Sequence, residues 1–139
     1  MTWIVFALCS AFFAALVAIF GKIGMSSIDT TLATTVRAAI MAVFLVIVSL
    51  ILGKTPLLST LNARALWFIV FAGIAGALSW LFYFGALKMG PASGVAALDR
   101  ISVVIVLILA FLFLGEEFSA KSVVGALLLT VGAVLMTIR

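Results

Sequence analysis

Five apolar segments, each near the length that crosses a lipid bilayer, constrain this sequence more than any other feature. The hydrocarbon core of a bilayer is about 30 Å thick, and about 20 mostly apolar helical residues cross it. The segments cover roughly Thr2–Gly21, Thr30–Leu52, Ala65–Leu87, Ala92–Leu114 and Ser122–Ile138. The sequence therefore predicts an all-α membrane protein with five transmembrane helices.

The composition supports the same prediction, because 68% of the 139 residues are hydrophobic and only 9% are charged. Soluble domains contain about 45–50% apolar and about 25% charged residues. Too little polar surface is present to coat a water-facing domain. We expect a single transmembrane domain over residues 1–139 and no soluble catalytic module.

Short polar connections separate the apolar segments and contain residues that end helices. Gly53–Pro56 ends the second segment, because proline lacks an N–H donor and disfavours helix in the residue before it. Gly90 and Pro91 predict a tight turn after the third segment. Either Ser119 or Ser122 is suited to cap the fifth helix.

Residue types that are scarce in the chain exclude several kinds of chemistry. The sequence contains no histidine and one cysteine, Cys9, which argues against imidazole catalysis, most zinc sites and disulfides. No segment resembles a nucleotide-binding loop, and the basic residues are too scattered for a nucleic-acid patch. We expect no cofactor, no bound metal, no nucleic-acid partner and no enzymatic activity.

The basic residues of the connections leave the orientation in the membrane open. If the N-terminus is cytoplasmic, three connection residues are basic on the cytoplasmic side: Lys54, Arg64 and Lys121. Three are basic on the opposite side: Lys22, Lys88 and Arg139. Orientation normally follows an excess of Lys and Arg on the cytoplasmic side. Either the protein inserts in both orientations, or a single residue such as Arg37 selects one.

Several motifs in the second half of the chain form a recognisable pattern. They are the stretch Tyr83–Ser93 (YFGALKMGPAS), the turn Leu114–Glu117 (LGEE), and Gly125 and Gly132 in the apolar tail, together with Arg37 near the start of the second segment. In this order they resemble EamA-type members of the drug/metabolite transporter superfamily. Most such proteins are ten-helix chains made of two repeats in opposite orientations, whereas this chain is similar to the five-helix, single-repeat branch of bacteria and archaea.

The resemblance implies a secondary transporter of a small metabolite or drug-like solute in the inner membrane, working by alternating access. Transporters of this kind place the substrate near the midplane, between inverted repeats. One five-helix repeat supplies half of such a site, so we expect an antiparallel homodimer, which the balanced charges allow. A parallel homodimer and a heterodimer remain open. Two other functions also remain open, a flippase subunit for a lipid-linked intermediate and a non-transporting membrane scaffold.

Three charged residues fall inside the predicted helices, where each costs about 2.5–3.5 kcal/mol at mid-helix. Asp99 is either a proton-coupling or substrate-binding carboxylate, or the partner of Arg37 or Arg100 in an ion pair. Arg37 either binds an anionic group through its planar guanidinium or extends to the lipid headgroups. Arg100 has the same alternatives but lies deeper.

Uncharged residues complete the candidate site. Trp80, Tyr83 and Phe84 share one helix face by their spacing. Trp80 and Tyr83 either line a cavity or belong to the interfacial aromatic belt. Ser102 offers a hydroxyl to a solute or to its own helix backbone. Gly125 and Gly132, on one face of the fifth helix, are expected to contribute to dimer packing.

Overall fold

The computed structural model describes residues 2–138, all of whose regular structure is helical. Met1 and Arg139 lie outside the described residues. The count of basic residues on each side includes Arg139, so that part of the count falls outside the structure as well. The helices are α1 (Thr2–Gly24), α2 (Thr30–Ile51), α3 (Ala63–Met89), α4 (Ala92–Asp99), α5 (Ser102–Leu109) and α6 (Ala120–Leu135). A 3-10 helix covers Thr55–Thr60, and a π-helical turn, Ala110–Leu114, extends α5.

Four of the described segments are long and apolar enough to cross a membrane: α1, α2, α3 and the stretch Ala92–Leu114. The fifth, α6, is apolar but has 16 residues, which span about 24 Å at 1.5 Å per residue. At most 6% of the residues in each long apolar window are buried inside the chain. Apolar side chains facing outward all round a helix are the expected surface of a protein whose solvent is lipid. The predicted all-α membrane fold is confirmed.

Side-chain caps fix where several helices begin. Asp29 accepts a hydrogen bond from the N–H of Leu32 at 2.9 Å and starts α2. Ser119 accepts from the N–H of Ser122 at 3.0 Å, so α6 begins two residues before the predicted boundary at Ser122. These bonds use orphan N–H groups of the first helical turn and so set the boundary more sharply than hydropathy does.

Two glycines end helices in the left-handed region of backbone conformation. Gly53 follows α2 with a φ of 61°, and Gly115 follows the π-helical turn with a φ of 69°. On either side of Gly115 along the chain, the rings of Phe111 and Phe118 stack with centroids 4.4 Å apart. The LGEE turn is therefore closed by a glycine backbone and an aromatic contact.

The fourth apolar segment is not one continuous α-helix, because the chain is overwound between α4 and α5. The N–H of Arg100 donates to the carbonyl of Ala97 at 3.1 Å. The N–H of Ile101 donates to the carbonyl of Leu98 at 3.0 Å. These are bonds to the third preceding residue, as in a 3-10 helix, so a tight turn interrupts the segment near its middle. Hydropathy alone predicted the segment but not this interruption.

The chain divides into two compact units, one made of residues 2–22 and 89–138 and the other of Ile23–Lys88. In the first unit, α6 packs against α4 and α5 and buries Ala126 and Ala133. Gly94 is buried in α4, where an added Cβ would lie 3.6 Å from the carbonyl oxygen of Met136. In the second unit, the side chains of Phe84 and Leu87 in α3 are almost completely buried.

Candidate substrate site

The guanidinium of Arg37 in α2 lies over the indole ring of Trp80 in α3. Its Cζ atom is 3.8 Å from the ring centroid of Trp80 and 5.2 Å from that of Phe84. Arg37 lies about two turns inside α2, and Trp80 lies about two and a half turns before the end of α3. The pair is therefore held between two membrane-length helices and away from their ends.

Three aromatic rings form one cluster on α3, here called the aromatic cluster: Trp80, Tyr83 and Phe84. Trp80 stacks on Phe84 at 5.2 Å between centroids, and Tyr83 meets Trp80 edge-to-face at 5.7 Å. Tyr83 and Phe84 are also 5.7 Å apart in an edge-to-face arrangement. Residues three and four apart lie on the same helix face, which brings the rings together. Phe84 is 1% exposed, whereas Trp80 and Tyr83 are half-buried.

The position of Arg37 bears on the two alternatives that the sequence left open. Its side chain reaches across to the rings of α3, and it is half-buried. A guanidinium over an aromatic face gains about 0.5–2 kcal/mol, with the larger values in desolvated surroundings. The ring contact thus stabilises the charge of Arg37 within the span. Without the ring, the side chain would have to extend to the lipid headgroups for comparable stabilisation.

Thr34 lies one turn before Arg37 and is the one buried polar residue among the described residues. Its hydroxyl donates to the carbonyl of Thr30 at 2.6 Å. Because the hydroxyl is satisfied by its own helix, Thr34 shapes the α2 surface beside the arginine without presenting a donor.

Asp99, Arg100 and Ser102 surround the interruption between α4 and α5. Asp99 ends α4, Arg100 caps it, and Ser102 begins α5. All three side chains are exposed on the surface of the single chain. Successive residues in a 3-10 turn point about 120° apart, so Asp99 and Arg100 face different directions.

The candidate residues thus form two groups. Arg37, Trp80 and Tyr83 are in contact within the unit Ile23–Lys88. Asp99, Arg100 and Ser102 lie together along the chain in the other unit. The sequence placed Phe84 on the same face of α3 as Trp80 but did not predict its contact with Arg37, because spacing within one helix does not show what the neighbouring helix brings to it.

Gly125 and Gly132 are not where α6 approaches its neighbours most closely. An added Cβ at either glycine would meet no described heavy atom within 4 Å. The buried positions are the next residues along the helix, Ala126 and Ala133. Packing within the chain therefore uses the alanines, and the role of the glycines between chains stays a prediction.

An apolar groove of about 380 Å³ lies between α5 and α6. Leu107, Ile108, Phe118 and Leu127 contribute to its lining, which is almost entirely nonpolar. None of the predicted site residues borders it. The polar side chain in the lining, Thr130, donates its hydroxyl to its own helix at Ala126, so the groove offers little to orient a polar solute.

The helices and their outward apolar surfaces define a multi-pass membrane protein. The family model of the EamA-like transporter family matches residues 1–138. A protein of Sinorhizobium sp. described as "Uncharacterized transporter in cobO 3'region" is 36% identical over 137 residues, covering 99% of this chain and 97% of that protein. No solved structure matches the chain significantly. The chain belongs to the EamA-like transporter family, and both comparisons support a membrane transporter.

Proposed function

We propose that this protein is a secondary transporter that moves a small metabolite or drug-like solute across the cell's inner membrane by alternating access. The observation that carries the proposal is the contact between Arg37 and Trp80 at 3.8 Å inside the α2–α3 pair. A charge held among aromatic rings within a membrane span is costly, and such groups commonly mark solute pathways. The half-buried Trp80 and Tyr83 retain surface on which an organic solute can stack.

The interruption between α4 and α5 supports the same proposal. Discontinuous membrane helices form the substrate and ion sites of many secondary transporters. Asp99, at the end of α4, supplies a carboxylate that can exchange a proton, and Arg100 and Ser102 add polar groups beside it. We assign Asp99 the role of coupling carboxylate, with Arg100 and Ser102 as contacts for solute or water.

The working unit in this proposal is an antiparallel homodimer in which residues 1–139 form one EamA-like domain per chain. One repeat supplies half of a midplane site, and an inverted copy supplies the other half. Gly125 and Gly132 have open space around them within the chain, which leaves room for the close approach of a second helix.

Flux in reconstituted vesicles tests the proposal. Solutes that raise the melting temperature of the purified protein are first selected, and their uptake into vesicles with an internal pH dye is then measured. We expect Asp99→Asn to reduce solute-driven proton movement at least tenfold. Asp29→Asn, the same change at a helix cap outside the apolar core of α2, should leave it unchanged because asparagine also caps helices.

Two results would contradict parts of the proposal. Full proton-coupled flux in Asp99→Asn would remove the carboxylate from the coupling mechanism. Absence of flux for every selected solute, together with movement of a labelled lipid-linked phosphate between leaflets, would favour the flippase function instead.

A further inference from the structure

We propose that Arg37 binds an anionic oxygen group of the solute, a carboxylate or phosphate, while the solute's organic part stacks on the aromatic cluster. The inference rests on the proposed transport function and names the substrate class of the same site. Three observations support it: how the guanidinium meets the ring, what surrounds its N–H groups, and where acidic residues lie in this unit.

The guanidinium meets Trp80 with its face and leaves its edge available. The separation of 3.8 Å between Cζ and the ring centroid is short enough for the planar group to lie flat on the ring, and we infer that orientation from it. An N–H group pointing into the ring would hold Cζ farther away. The five N–H donors of arginine lie in the guanidinium plane, so they point along the ring surface. That edge is the part of arginine that matches two oxygens of a carboxylate or phosphate.

The N–H groups of Arg37 have no partner within the unit that holds them. Among residues 23–88, no hydrogen bond or ion pair involves the Arg37 side chain. No fully buried polar side-chain atom of the described residues lacks a partner, so the unpaired N–H groups retain accessible surface. Donors left without acceptors inside a membrane span are costly, and an anionic solute would satisfy them.

The acidic residues of this unit leave the positive charge uncompensated. The sequence of α2 and α3 contains no Asp or Glu, and the single acidic residue between positions 23 and 88 is Asp29. Asp29 caps the N-terminus of α2, about two turns away from Arg37. An aromatic face stabilises a cation without neutralising it or occupying its donors. The aromatic cluster therefore holds Arg37 in a charged state that is ready to receive an anion.

Tryptophan fluorescence tests this inference directly. Trp3 and Trp67 are 71% and 63% exposed, so Trp3→Phe with Trp67→Phe leaves Trp80 as the single reporter without disturbing a buried core. The purified protein in lipid nanodiscs is titrated with matched pairs: acetate and acetamide, benzoate and benzamide, phenyl phosphate and phenol. We expect saturable quenching by at least one anion, with at least tenfold weaker binding of its neutral counterpart.

Variants at Arg37 separate charge from geometry. Arg37→Gln should weaken binding of the anion at least tenfold, and Arg37→Lys should weaken it less, because lysine keeps the charge but lacks the planar pair of donors. Arg64→Gln removes an exposed arginine from the first turn of α3 and should bind as the parent does. Circular dichroism and gel filtration check folding, and Arg37→Lys decides the outcome if Arg37→Gln does not fold.

The inference and the proposed transport function fail in different ways. Equal binding of both members of every pair, no binding of any anion, or unchanged binding in the folded Arg37 variant would overturn the anion site. Flux of a solute that is insensitive to Arg37→Gln would also overturn it, while leaving transport intact. Anion binding that depends on Arg37 without any flux in vesicles would contradict transport and leave the anion site standing.

Discussion

The Nζ atom of Lys22 donates a hydrogen bond to the carbonyl oxygen of Gly90 at 2.8 Å, joining the end of α1 to the turn between α3 and α4. A second lysine makes a comparable contact within the other unit, where Lys88 donates to the carbonyl of Ile28 at 2.9 Å. Both lysines bind loop carbonyls rather than simply extending into solvent. These contacts position the two short connections that precede α2 and α4.

Replacing Lys22 with methionine should lower the thermal stability of the protein. A hydrogen bond from a charged donor contributes about 1.5–3 kcal/mol, and partial exposure of Lys22 places the expected loss near the lower end. Melting in detergent measures the effect. Lys54→Met, in the exposed connection before the 3-10 helix, is the matched control and should melt as the parent does. Equal melting of both variants would show that the Lys22 contact adds no stability.

Removing the indole of Trp80 should destabilise the protein more than removing an exposed indole. Trp80→Leu loses the contacts with Arg37, Tyr83 and Phe84, which we expect to cost about 2–3 kcal/mol in total. Trp67→Leu removes a mostly exposed ring and should cost less than half as much. Trp80→Phe keeps a ring face and should give an intermediate melting temperature. Equal losses in Trp80→Leu and Trp67→Leu would refute a special role for the ring under Arg37.

Asp99 and Arg100 should act independently in a double-mutant cycle. Both side chains are exposed, and the turn that contains them points them in different directions. We expect an interaction energy below about 0.5 kcal/mol between Asp99→Asn and Arg100→Gln, measured by thermal or denaturant unfolding. A coupling above about 1 kcal/mol would indicate a structural ion pair and favour the scaffold function.

Glycines on α4 and α6 should respond differently to a large side chain. Gly94→Leu places carbon atoms against Pro91 and the carbonyl of Met136, and we expect a loss of about 1–3 kcal/mol. Gly132→Leu projects into open space within the chain and should leave the melting of the monomer unchanged. If α6 packs between chains as proposed, Gly132→Leu should instead reduce the dimer fraction in crosslinking. An unchanged dimer fraction would remove Gly132 from the interface.

Dual orientation should be visible by labelling single cysteines from each side of the membrane. In a Cys9→Ser background, Ser27→Cys and Ser59→Cys place thiols in the exposed connections after α1 and α2. These connections lie on opposite sides of the membrane, because one transmembrane helix separates them. We expect each thiol to react with an impermeant reagent from both sides in comparable amounts. Reaction of each from a single side would require a second protein as the inverted partner.

The sequence by itself determined the membrane class and the apolar segments, whose ends lie within three residues of the outer helix ends in the structure. These properties depend on local features: the length of an apolar run and the residues that interrupt it, such as Pro56 and Pro91. The motifs also indicated the EamA family, which the family comparison confirms over residues 1–138.

Tertiary structure decided what the sequence left open about contacts. Arg37 lies over Trp80 because α2 and α3 place those side chains at the same height. The relative position of two helices is not encoded in the sequence of either helix alone. The same limit applies to the packing face of α6. Gly132 and Ala133 are one residue apart, and only the positions of the neighbouring helices decide that Ala133 is the buried one. Helix formation in a bilayer is local, whereas packing depends on the combined shapes of several helices, so a single sequence fixes the first more firmly than the second.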